Sequence, residues 1–163
     1  MSDEENDFTQ GDAGSTGMEK VSAGSLKKGD PVMIKDHPCK VVSFSTAKVG
    51  KHGSAKAMIT GIDIFTANKY ECTYSTGEMV DAPIIKRNEY LVINIDDEGY
   101  LTLLTDTGET VEHLRIPEDE HLKEVADRIK EIFEAGKKEC LVTVHSGLGI
   151  EKILTVREGK ETD

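Results

Sequence analysis

No run of apolar residues in this 163-residue chain approaches the roughly 18 positions a membrane-spanning helix needs. The longest, around Tyr90-Leu91-Val92-Ile93, is strand-sized, as is the run around Leu103-Leu104. The opening Met1-Ser2-Asp3-Glu4-Glu5 lacks the basic and apolar regions of a secretory leader. The expectation is a soluble protein without a membrane partner, cytoplasmic, with the nucleus as a second location. The three cysteines, Cys39, Cys72 and Cys140, are odd in number and far apart, with no CxxC pair and no zinc spacing. They read as small buried hydrophobes. The five histidines make no HExxH pattern. No metal site is expected, and no bound cofactor. There is no internal repeat and no nucleophile–base pair, so an enzyme is not expected.

Basic charge is also scarce. The formal net charge is −11, and taken whole it argues against a nucleic-acid partner, because phosphate contacts need Lys and Arg. The distribution reverses that argument. Residues 1–19 carry six carboxylates and no Lys or Arg. Residues 20–87 hold 11 basic and 6 acidic side chains, whereas residues 88–163 hold 9 basic and 19 acidic. Residues 37–62 contain no Asp or Glu, yet carry Lys40, Lys48, Lys51 and Lys56. Such a stretch points to a polyanion-facing surface inside an acidic chain.

The segment 1–19, with Gly11, Gly14, Ser15, Thr16 and Gly17 and only Phe8 and Met18 as large apolar residues, buries too little to order itself. It reads as a disordered acidic tail. From Lys20 onward, short Val- and Ile-containing runs alternate with turns. Strands are expected at 31–35, 39–45, 56–65, 69–75 and 79–85. Turns are expected at Gly29-Asp30-Pro31 and Asp36-His37-Pro38, and a hairpin at Ser75-Thr76-Gly77-Glu78 with Gly77 in the strained position. Five short strands in this span suit a small β-barrel. Polar Lys86-Arg87-Asn88 reads as a domain junction. Strands then resume at 90–95, 100–105 and 111–116. After Pro117, Leu122, Val125, Ala126, Ile129, Ile132 and Phe133 recur with helical spacing. Acidic residues near the start and Gly136 near the end fit helix termini. Strands at 139–145 and 151–156 complete a five-stranded barrel with one helix, the content of an OB-fold. The expected division is a tail at 1–19, a basic barrel at 20–87, an acidic OB-fold at 88–158 and a C-terminal tail at 159–163. Tyr90, Tyr100 and Phe133 are expected to pack in the core of the acidic barrel rather than stack on bases.

The chemistry lies in Ser45-Thr46-Ala47-Lys48-Val49-Gly50-Lys51-His52-Gly53-Ser54-Ala55-Lys56. Gly50-Lys51 is not a Walker phosphate loop, because that pattern needs Gly where Ser45 stands and Ser or Thr where His52 stands. Apolar strands flank the segment, so it reads as a loop between paired strands. Gly50 and Gly53 would make a thin tip around one long basic side chain, Lys51. A narrow tip suits a confined site in an enzyme or an RNA. On these residues alone, an ordinary Gly-rich hairpin with exposed lysines stays open.

The stretch resembles the modification loop of the eukaryotic translation initiation factor 5A family, the hypusine-containing relatives of bacterial elongation factor P. The family loop usually reads Ser-Thr-x-Lys-Thr-Gly-Lys-His-Gly-His-Ala-Lys. This chain agrees at Ser45, Thr46, Lys48, Gly50, Lys51, His52, Gly53, Ala55 and Lys56, and departs at Val49 and Ser54. Pro38-Cys39-Lys40-Val41-Val42, Gly61-Ile62-Asp63-Ile64-Phe65-Thr66 and Ile85-Lys86-Arg87-Asn88-Glu89-Tyr90 resemble flanking family segments. Tyr74-Ser75-Thr76-Gly77-Glu78-Met79 resembles the family's next hairpin only in part, and the likeness weakens after Ser146.

The resemblance implies an SH3-like barrel followed by an OB-fold. It implies a non-enzymatic translation elongation and termination factor. It implies that Lys51 is converted to hypusine by deoxyhypusine synthase, which uses spermidine and NAD, and by deoxyhypusine hydroxylase. It implies ribosome, rRNA and peptidyl-tRNA as partners and a role at stalled, proline-rich sites. Lys48, Gly50, His52 and Gly53 fall in the modification loop, and Lys48, Lys51, His52 and Lys56 are the expected RNA contacts. The alternative is a two-barrel RNA-binding module that is never modified.

Overall fold

The computed structural model describes residues 17–48 and 55–162. The chain divides into two compact units, Met1–Ile85 and Lys86–Asp163. Both are built mainly of antiparallel strands.

The first unit comprises β1 (Met18–Ser22), a 3₁₀ turn at Ala23–Ser25, β2 (Pro31–Ile34), β3 (His37–Lys48), β4 (Ala55–Asp63), β5 (Lys69–Ser75) and β6 (Met79–Pro83). One sheet runs β2-β3-β4-β5, and β1 pairs with β6. Alternation explains the core: Val32 and Ile34 on β2, Cys39 and Val41 on β3, and Ala57 and Ile59 on β4 point inward with Leu26 and Val80. Phe44, Tyr70, Cys72 and Tyr74 pack against them. This small curled barrel is the expected first-half architecture.

Its details differ in four places. Met18 and Glu19, expected in the acidic tail, pair with Pro83 and Ala82, while residues 1–16 of that expected tail lie outside the described residues. A polar segment becomes a strand when a partner strand offers its hydrogen bonds. The turn expected at Asp36-His37-Pro38 is the two-residue connection Lys35-Asp36, since Ile34 already pairs with His37. Lys35 and Asp36 adopt φ of +50° and +68°, as primed hairpin turns require. Gly77 does not take the expected positive φ. Its turn is instead closed by the Glu78 N–H donating to the Ser75 carbonyl at 2.9 Å. Finally, β3 is longer than expected and contains a bulge: Val41 faces Gly61 and Ser43 faces Thr60, which leaves Val42 as an extra residue.

The second unit contains β7 (Lys86–Ile95), β8 (Leu101–Leu104), β9 (Thr110–Val111), a 3₁₀ turn at Glu120–Leu122, α1 (Lys123–Ala135), β10 (Lys138–Gly147) and β11 (Ile150–Glu161). The strand order is β11-β10-β7-β8-β9. Helix α1 contributes Ala126, Ile129 and Ile132 to a core shared with Val92, Leu101, Leu103, Cys140, Val142, Val144 and Ile153. Gly136 ends α1 in the left-handed conformation, with its N–H on the Ile132 carbonyl. Five strands and one helix give the expected OB-type content.

The division between the units falls between Ile85 and Lys86, and Lys86-Arg87-Asn88, expected as a polar junction, are themselves strand, pairing with Ser146, His145 and Val144. The strand expected at 111–116 is interrupted, with β9 ending at Val111 and a single bridge returning at Tyr100–Arg115. The tail expected at 159–163 largely belongs to β11, since Lys138 pairs with Glu161 and the Thr162 N–H reaches the Lys137 carbonyl at 2.9 Å. Outward-facing polar residues conceal such an edge strand in the sequence.

Candidate functional site: the β3–β4 hairpin

Strands β3 and β4 pair from Cys39↔Asp63 to Lys48↔Ala55. The ladder is therefore complete on both sides of residues 49–54. Gly50, Lys51, His52 and Gly53, the centre of the expected site, lie outside the described residues. Lys48 and Lys56 are described, and they frame that segment in the chain.

The bulge at Val42 decides where these lysines go. Cross-strand partners share a sheet face. Phe44↔Ile59, Thr46↔Ala57 and Lys48↔Ala55 therefore lie on the core-facing side. Ala47↔Lys56, Ser45↔Met58 and Ser43↔Thr60 lie on the other. Lys48 is exposed and Lys56 half-buried, and they leave the ribbon from opposite faces. The structure does not bring them together as one patch. Lys40 is exposed farther down β3.

Lys56 is held. Its Nζ donates to the Ser75 Oγ at 3.2 Å, from the neighbouring position on β5. The Thr76 N–H donates to the Ala55 carbonyl at 3.0 Å, which fastens the β5–β6 turn to the end of β4.

At the opposite end of β4, Asp63 is the buried charged side chain among the described residues, 3% exposed. Its Oδ1 accepts from the N–H groups of Phe65 at 2.8 Å and Thr66 at 3.1 Å. Its Oδ2 lies 3.4 Å from His37 Nδ1. The His37 ring stacks on Tyr70 with centroids 4.2 Å apart and planes 8° from parallel. The first carboxylate after the acid-free stretch is thus consumed inside the fold and adds no exposed negative charge beside the hairpin. On the outward face, Val42, Met58 and Ile62 are exposed large hydrophobes. Sequence reasoning missed them, because only the bulge and register reveal that they share a side.

The described cysteines do not form a nucleophile centre. Burial pushes the Cys39 and Cys140 thiols up to about 11, so both stay protonated near neutral pH. All three cysteines are free. Among the described residues no group of three or more His, Cys, Asp or Glu is arranged to hold a metal ion. No described helix is long and apolar enough to cross a membrane.

In the second unit, Tyr90 and Phe133 pack against the core as expected. Tyr100 does not: it is 40% exposed, and the Arg115 guanidinium lies 5.1 Å from its ring centroid. Arg115 is also tied to the Glu98 carbonyl, with Nε at 3.1 Å. A cleft of about 890 Å³ between the β7–β8 turn and α1 carries Asp96, Asp97, Glu98, Glu118, Asp127 and Glu134 among its lining residues. Carboxylates outnumber the cleft's three basic residues, Arg115, Lys123 and Lys130, so the cleft disfavours a polyanion.

Comparison with known proteins agrees with this architecture. Residues 16–78 match the family described as translation initiation factor 5A-like, N-terminal. Residues 84–157 match that described as eukaryotic elongation factor 5A hypusine, DNA-binding OB fold. The chain is 39% identical over 163 residues to eukaryotic translation initiation factor 5A-1 of Saccharomyces cerevisiae, covering 100% of both chains. It is 42% identical over 159 residues to factor 5A-2 of Schizosaccharomyces pombe, covering 97% of this chain and 90% of the relative. Among solved structures, the factor 5A family protein of Naegleria fowleri superposes with a TM-score of 0.78 at 45% identity, over 86% of this chain and 98% of that one. The factor 5A of Methanococcus jannaschii gives 0.63 at 35% identity, over 86% and 96%. By both halves and over its full length, the chain belongs to the eukaryotic translation initiation factor 5A family.

Proposed function

We propose that this protein is a non-enzymatic translation factor that acts in the cytoplasm through a hypusine formed at Lys51. The observation that carries the reading is the β3–β4 hairpin. It is paired as far as Lys48↔Ala55, free of carboxylates across residues 37–62, and connected through Gly50-Lys51-His52-Gly53. A lysine amine becomes a nucleophile once a desolvating site removes its proton. Deoxyhypusine synthase would supply that site, together with NAD and the spermidine-derived aminobutyl group, and a hydroxylase would complete the residue. The family's hypusine description supports this modification.

The partner is the ribosome beside the peptidyl-tRNA. The longer, doubly cationic side chain would reach phosphate and sugar groups at the tRNA acceptor end, with Lys48, His52 and Lys56 as companion contacts. Holding that end in a reactive position lowers the entropic part of the barrier to peptide-bond formation, while the ribosome supplies the catalysis. Proline, a constrained nucleophile, gains most from alignment, so relief of stalling at consecutive prolines is the expected activity.

Peptide mass analysis of protein from its native host tests the modification directly. Hypusine at Lys51 is expected. Uniformly unmodified Lys51 would leave an RNA-binding module of the same fold. A Lys51→Arg variant should fold normally and lose support for proline-rich synthesis, and full rescue would contradict the role given to Lys51.

A further inference from the structure

Three separate chain segments meet at the Ala55 end of β4. The 3₁₀ turn donates to the β5–β6 hairpin twice, from the Ala23 N–H to the Glu78 carbonyl and from the Gly24 N–H to the Thr76 carbonyl, each at 2.8 Å. That hairpin then reaches β4 twice, through the Thr76 N–H to the Ala55 carbonyl and through the Ser75 hydroxyl beneath the Lys56 ammonium. The hairpin is itself clamped, with the Ser75 N–H donating to Glu78 Oε1 at 3.2 Å. Gly24 is required by this arrangement: a Cβ there would stand 2.9 Å from the Thr76 carbonyl oxygen and 3.0 Å from its Cβ.

We infer that Ser75 and Gly24 are positioning residues for the Lys51 segment, and that Lys56 serves it by anchoring to Ser75. The brace fixes the strand end from which that segment departs. An end already held needs less ordering when a modifying enzyme or an RNA engages the segment, which strengthens binding without changing the chemical step. A lysine acting only by its charge would be indifferent to the Ser75 hydroxyl. A lysine acting through the brace is not, and its loss and the loss of Ser75 become the same event. This inference rests on the modification proposed above for its kinetic consequence, but not for the brace itself.

The test compares Ser75→Ala, Lys56→Met, the double variant, Ser75→Thr and Gly24→Ala in the full-length protein. Hydrogen exchange of peptides spanning residues 48–56 should quicken by about threefold to tenfold in Ser75→Ala and Lys56→Met, the range one ordinary hydrogen bond gives. Peptides from β2 should be unchanged. With purified deoxyhypusine synthase, NAD and labelled spermidine, KM for the protein should rise by a similar factor with kcat unaltered. The double variant should be no worse than either single one. Ser75→Thr should restore wild-type behaviour, and Gly24→Ala should reproduce Ser75→Ala. Unchanged exchange in Ser75→Ala would overturn the inference. So would a raised KM in Lys56→Met alone, which would make Lys56 a direct contact of the synthase, or multiplying effects in the double variant. If the wild-type protein takes no label, the modification reading fails while the exchange result still decides the brace.

Discussion

Lys152 Nζ lies 2.7 Å from Asp119 Oδ2, joining β11 to the segment that leads into α1. The Lys152 hydrogen bond holds the Asp119 carboxyl below its usual range, against the opposing effect of burial. On the same unit, Arg157 grips Glu89 with Nε and Nη2 at 2.7 and 2.8 Å, and that hydrogen bonding lowers the Glu89 carboxyl as well. A carboxylate whose pKa is lower in the folded state adds stability that is fully present above its unfolded value, about 4. That stability is lost as pH falls through the lowered folded value. The thermal midpoint of the second unit should therefore fall below about pH 4. Asp119→Asn should lower the midpoint at pH 7 and approach the wild type in acid. Calorimetry across pH 7 to 2.5 checks both statements, and a pH-independent deficit would contradict them.

In the first unit, Asp63→Ala should cost about 1–3 kcal/mol, because the N–H groups of Phe65 and Thr66 lose their buried acceptor. Asp63→Asn, which keeps an acceptor oxygen, should cost less. Urea denaturation of the two variants gives the comparison.

Two glycines should respond in opposite ways. A Cβ at Gly61 would stand 2.8 Å from both the Cys39 Cβ and the Ile34 Cδ1, so Gly61→Ala should destabilise by about 1–3 kcal/mol. Gly77 has open space around it and no positive φ. Gly77→Ala should be neutral or raise stability by up to about 1 kcal/mol, by reducing the entropy of the unfolded chain. Denaturation midpoints of the pair distinguish crowding from backbone freedom.

The β10–β11 connection holds Leu148 and Gly149 at φ of +53° and +78°. A β-carbon is costly in that conformation, and Asn-Gly is the favoured pair for such a turn. Leu148→Asn should therefore stabilise by about 1 kcal/mol. An unchanged melting temperature would show that Leu148 has a compensating contact.

The sequence displays what period and composition encode. The stretch 69–75 coincides with β5, and the apolar spacing from Leu122 to Phe133 marks α1, because buried faces leave a repeating pattern. It conceals what depends on a distant partner. Met18 and Glu19 read as tail, and Lys86–Asn88 as a junction with no strand of its own, until β6 and β10 pair with them. The turn at Lys35-Asp36 carries no glycine to announce its positive φ. Tyr100, apolar by composition, sits at the surface under Arg115. For the site, the lysines were legible but not their sides, since the residue spacing that would assign them is broken at Val42.

That extra residue acts as a change of parity. Before it, odd-numbered positions of β3 face the core, as Cys39 and Val41 do; after it, even-numbered positions do, as Phe44 does. The rest of β3, as far as Lys48, inherits the exchange. The pairs Lys48↔Ala55 and Ala47↔Lys56 keep the two lysines on opposite faces, and the extra residue is what reconciles that arrangement with Cys39, Val41, Ala57 and Ile59 all in the core. Lysine spacing along a hairpin therefore assigns a lysine to the core side or the outer side only once the bulge below it has been counted.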